Sequence, residues 1–69
     1  MSTRDELRQV EEDLAKLKAA NRELRAQVGE MGATDLVERS SMIQMADEQD
    51  VVIGDLERRR EDLLQRLGG

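Results

Sequence analysis

Sixty-nine residues with 39% charged side chains, a net charge of −5 and no Phe, Tyr, Trp, His, Cys or Pro make at most one small domain. That profile belongs to long solvated helices and coiled coils, and it excludes a disulfide framework, a thiolate metal site and histidine-based catalysis. No apolar run approaches a membrane span, and the amino-terminal M-S-T-R-D-E lacks a signal-peptide core, so a soluble cytoplasmic chain is expected.

The first helix is expected over about residues 4–31. Ser2 and Thr3 can cap it, with Asp5 and Glu6 at the capping-box spacing. Leu7, Val10, Leu14, Leu17, Asn21, Leu24, Val28 and Met31 then recur at alternating steps of three and four, an unbroken heptad seam. Its one polar member is Asn21. A lone Asn at such a position sets register in parallel two-stranded coiled coils, so Asn21 is the candidate register-setting residue and keeps open a parallel zipper of one long helix with its copy.

Gly29 and Gly32 weaken the helix, and Gly32 is well placed as its stop. Asp35-x-x-Glu38 then has the signature of a fresh start, with Asp as the cap and Glu reaching back. Stop and start so close together predict a turn, a hairpin tip over 32–35. A second helix is expected over about 36–67. Met42, Ala46, Gln49, Ile53, Leu56, Arg60, Leu63 and Leu67 keep the alternation, while Met45, Val52 and Leu64 widen the face. Gly54 could break this helix, although the period carries across it.

Folding about residues 33–34 sets Asn21 opposite Ala46, Leu14 opposite Ile53 and Val10 opposite Leu56. Leu7 falls opposite Arg60, which could reach Glu6, and Leu63, Leu64 and Leu67 overhang the start of the first helix. The fold class is therefore all-α, a two-helix antiparallel coiled-coil hairpin. Two helices bury little apolar area against the backbone entropy of ordering them, so self-association as a dimer or four-helix bundle, or a larger protein partner, is expected.

Charge is unevenly spread. Residues 35–55 hold six acids against Arg39 alone. An acidic middle and the lack of any aromatic ring argue against direct nucleic-acid binding. Asp35 and Glu38 could project together from the tip, where paired carboxylates suit a hard cation shared with a partner's active site; capping of the second helix is the commoner use of this spacing. Met31, Met42 and Met45 are candidates for an adaptable interaction surface or for core filling. Arg58 and Arg59, with Arg60, could form a docking patch or a solvated face among Glu57, Glu61 and Asp62. Ser40 and Ser41 have no His or Lys placed to activate them, so the chain is not expected to be an enzyme or to hold a cofactor of its own.

The run D-L-V-E-R-S at 35–40 resembles the D-L-S-E-N-A tip of the Gre transcript-cleavage factors and is similar to the D-x-x-D-x-A tip of the DksA type. Downstream, A-D-E-Q-D-V-V-I-G-D-L-E at 46–57 resembles the second helix of the Gre coiled coil, with Asp35, Leu36, Glu38, Glu48, Gln49 and Gly54 at matching positions. The likeness covers about residues 32–64. It implies an antiparallel coiled coil that enters the secondary channel of bacterial RNA polymerase, with Asp35 and Glu38 as tip acids that help hold a magnesium ion in the partner's active site. Arg39, Val37 and Met42 depart from the family's Asn, Ser and aromatic residue. The 69 residues also include no counterpart of that family's globular docking domain, so weak binding or another mode of docking is expected, with regulation as plausible as cleavage. The rival functional readings are a parallel zipper-like dimerisation or adaptor module and a coiled coil that sequesters a transcription factor such as a sigma factor.

Overall fold

A computed structural model describes residues 2–31 and 35–68. Two helices, α1 (Thr3–Glu30) and α2 (Leu36–Gly68), pack antiparallel in a rod of 53 × 17 × 14 Å. The fold is the all-α helical hairpin that the two heptad seams predict. The expected stop at Gly32, and the body of the 32–35 tip, lie outside the described residues.

The start of α1 is built as its sequence specifies. The Ser2 hydroxyl accepts from Asp5 N at 3.1 Å, and the Asp5 carboxylate accepts from Ser2 N at 3.5 Å. This reciprocal box satisfies two of the amides that a helix start leaves without partners. At the other end Met31 is extended and its N–H donates to Val28 O at 3.2 Å. Helix α2 runs through Gly54 unbroken. A Cβ built there would meet nothing within 4 Å, so nothing inside the hairpin requires a glycine at this position.

Every seam position of α1 is buried or half-buried, as are all those of α2 except Leu67. Val10, Leu14 and Leu63 form the core, with Leu7, Ile53 and Leu56 packed against it. Two expectations are corrected. Leu63 does not overhang: it has 0% of its surface exposed. Arg60 does not reach Glu6; Arg59 does, with Nε donating to Glu6 Oε1 at 3.2 Å, while Arg60 pairs with Glu11 at 3.1 Å. For Leu63 the cause is side-chain direction, whereas Arg59 and Arg60 differ in flank, Arg59 lying on the side of Glu6 and Arg60 on that of Glu11. Helical side chains lean toward their own N-terminus, so in an antiparallel pair the two helices lean opposite ways. Leu63 leans along α2 toward the tip and Leu7 leans along α1 away from it. Contacts therefore join residues of higher combined number than the facing backbone suggests.

Two layers above this core lies a polar one. Asn21 is buried, and its Nδ2 donates to Ala46 O at 3.0 Å and to Gln49 Oε1 at 3.1 Å. Its Oδ1 accepts from Arg25 Nε at 3.1 Å, and Arg25 continues to Asp47 and Asp50 of α2. Hydrogen bonding to Asp50, more than its charge or that of Asp47, raises the Arg25 pKa against the opposing effect of desolvation. The register residue thus spends both ends of its amide within one chain. The fully buried Ala46 leaves the room that this requires.

Candidate functional site

The end of the rod near Asp35 carries the groups with the clearest chemistry. Asp35 caps α2: its Oδ1 accepts from Glu38 N at 3.1 Å, and its main-chain carbonyl accepts from Arg39 N at 3.1 Å. Capping and projection are therefore not alternatives here. The cap fixes the Asp35 carboxylate at the helix mouth, and the helical turn places Glu38 beside it, both exposed. Hydrogen bonding with the Asp35 carboxyl, and then repulsion from its charge, raise the Glu38 pKa above its ordinary 4.5. Two carboxylates close enough to perturb one another are suited to share a cation or a cluster of donors.

The pair is set beside apolar surface. Leu36 and Val37 are exposed at 66% and 80%, so acids and aliphatic side chains form one small end surface. The sequence marks the acids, but it does not mark Leu36 and Val37 as exposed, because an apolar residue in a helix's first turn reads as a seam contact.

The other candidates are dispersed. Met31 and Met42 are half-buried along the seam, and Met45 stands on a flank with 53% exposed. The three consecutive arginines Arg58, Arg59 and Arg60 of α2 diverge at the end remote from Asp35. Arg58 turns outward to Asp55, Arg59 crosses to Glu6 and also meets Asp62, and Arg60 crosses to Glu11. They act as cross-helix ties and a surface pair more than as one basic patch. Hydrogen bonding to Glu6, and then its charge, raise the Arg59 pKa. Asn21 lies in the polar layer between the helices with the seam residue Gln49 and with Arg25, a partner that the seam pattern does not single out.

Among the described residues there is no group of three or more acids able to hold a metal ion, so the end surface can offer two carboxylates to a cation held chiefly by something else. No described helix is long and apolar enough to cross a membrane.

The chain matches no family model, no curated protein and no solved structure.

Replacing Asp35 by Asn tests the pairing directly. Asn caps as well as Asp, so α2 should keep its start while Glu38 loses its neighbouring charge. The Glu38 pKa is expected to fall back toward 4.5 in an NMR titration. The sign for stability follows. A carboxyl whose pKa is raised on folding contributes stability below its ordinary value, and this is lost as pH rises through the raised one. Asp35→Asn should remove that acid-side gain. An unmoved Glu38 titration would mean that the two groups do not interact.

Proposed function

We propose that this chain acts by protein–protein interaction, as a helical hairpin that presents the Asp35–Glu38 pair to a partner protein at one end. The resemblance of residues 35–40 and 46–57 to the Gre coiled coil names the partner as bacterial RNA polymerase, approached through its secondary channel. That partner places the action in the cytoplasm and makes it a form of transcription regulation. The observation that carries the reading is the placement of two exposed carboxylates, Asp35 capping α2 and Glu38 one turn on, at the end of a rod 53 Å long and at most 17 Å wide. A narrow rod with its chemistry at the end suits a channel. In such a complex the tip acids would complete the shell of a magnesium ion that the partner's own acids hold, and the chain itself performs no catalysis.

Sequestration of a transcription factor on the helical faces is the second reading. It is favoured by apolar side chains away from the end, Met45 and Val52 among them.

One experiment separates the two. Asp35→Ala with Glu38→Ala should cost the hairpin about 1 kcal/mol through the lost cap. If the end surface is the working part, the double variant should still be captured by polymerase but lose its effect on transcription in a reconstituted assay. An unchanged effect would move the function to the faces, and lack of capture of the wild-type chain would remove polymerase as the partner.

A further inference from the structure

One flank of the rod is built to complement itself. Three cross-helix pairs, Lys18 with Glu57, Arg25 with Asp50 and, in the opposite sense, Arg60 with Glu11, bridge the helices on this side and fix which outward positions share it. Heptad spacing adds Arg4, Arg8 and Arg22 from α1, so α1 offers five cations against the one acid Glu11. From α2 it adds Asp47 and Glu61, so α2 offers four acids against Arg60, which Glu11 already pairs. Arg8, Arg22 and Glu61 have no ion-pair partner among the described residues. Ile43 and Leu64 stand on the same flank, each 39% exposed.

This flank is also grooved. Three open depressions follow it, the largest of about 490 Å³ and lined by Ala15, Arg22, Asp50 and Ile53 among others. Ala15 and Gly29, which carry little or no side chain, line them, and Gly54 adds another bare position on the same flank. A Cβ added at Gly29 or Gly54 would touch nothing. Glycine inside a helix is destabilising, and here no contact within the hairpin accounts for it.

We propose that a second copy of this chain docks on this flank. The two hairpins lie side by side as a four-helix bundle about a two-fold axis parallel to the helices, with both Asp35–Glu38 ends at the same end of the bundle. Charge selects this arrangement. Rotation about the long axis sets α1 of one copy against α2 of the other at equal height, cations facing acids. Rotation about an axis across the rod would set α1 on α1 and α2 on α2, like charge on like, which is unfavourable. The heights agree as well. By the spacing that pairs Lys18 with Glu57, Arg22 stands level with Gly54, Asp47 with Gly29 and Glu61 with Ala15. Each long charged side chain of one copy thus meets a position of the other that has little side chain, and Arg22 enters between Asp50 and Glu57 of the other copy. Ile43 and Leu64 meet their own counterparts near the axis. A face along a rod 53 Å long and 17 Å wide matches the roughly 800 Å² per partner of a standard interface. The reading does not depend on the proposed role of the end surface.

Analytical ultracentrifugation of the full chain at micromolar concentration tests it. The wild type is expected to be a dimer. Gly54→Gln should weaken association about tenfold to hundredfold by filling the space for Arg22, while helix content by circular dichroism is retained, since the new side chain meets nothing within the hairpin. Arg22→Glu should weaken it by charge alone. Spin labels at Val37→Cys should report a short distance between copies rather than one near the 53 Å length of the rod. A monomeric wild type, an undiminished Gly54→Gln dimer, or labels a rod's length apart would each overturn the proposal.

Discussion

Leu63→Ala is expected to unfold the hairpin or bring it to the edge of unfolding at room temperature. Leu63 is the one large side chain with no exposed surface among the described residues, and it closes the cluster of Val10 and Leu14. Removing a buried leucine side chain costs about 2–5 kcal/mol, through lost transfer energy and the cavity left behind. A two-helix chain with four buried apolar residues among those described has little stability in reserve. Leu67→Ala is the control. Leu67 lies one turn on and is 41% exposed, so its truncation should cost less than about 1 kcal/mol. Thermal melts followed by circular dichroism should separate the two variants clearly. Equal melts would show that the core does not sit at this end.

Ala46→Leu should be the second severe change. Ala46 has no exposed surface, and its carbonyl receives the Asn21 amide at 3.0 Å. That bond requires the helices to approach closely at this layer. A leucine there would force them apart, at about 1–3 kcal/mol for overpacking. It would also strain the bonds of a buried amide, whose loss carries a similar cost of about 1–3 kcal/mol. Exchanging the sizes should repair much of the damage: with Asn21→Ala alongside Ala46→Leu, the large residue moves to α2 and the polar group disappears. A double-mutant cycle read by urea unfolding is expected to show strong coupling between the two sites. Additive costs would mean that Asn21 and Ala46 do not share a layer.

The antiparallel hairpin was legible because three signals agreed. The α1 seam is unbroken, the α2 seam continues across Gly54, and Asp35-x-x-Glu38 announces a second start. Facing positions near the middle, Asn21 with Ala46 above all, follow from simple folding about residues 33–34. Errors collect where side-chain direction matters. Leu63 read as an overhang, since counting backbone positions ignores the opposite lean of the two sets of side chains, and Arg60 read as the partner of Glu6, since counting along the seam does not say which flank an arginine takes. Asn21 illustrates a different limit. The same residue can specify a parallel zipper or an antiparallel hairpin, and the choice depends on whether Gln49 and Ala46 of the same chain can reach its amide. At the candidate site the acids were legible from spacing. Their coupling was not, because it depends on rotamers, and neither was the exposure of Leu36 and Val37, which depends on where the seam begins.

The proposed mode of action requires the chain to double back so that Asp35 and Glu38 stand at one end. The most direct test is the distance between spin labels at Ser2→Cys and Gly68→Cys, with labelled chains diluted into excess unlabelled protein so that only distances within a chain are read. Packed helices lie about 8–10 Å apart, so the hairpin predicts labels within about 30 Å of each other. A continuous helix of about 66 residues would separate them by roughly 100 Å. That longer distance would remove the end surface, and with it the proposed mode of action.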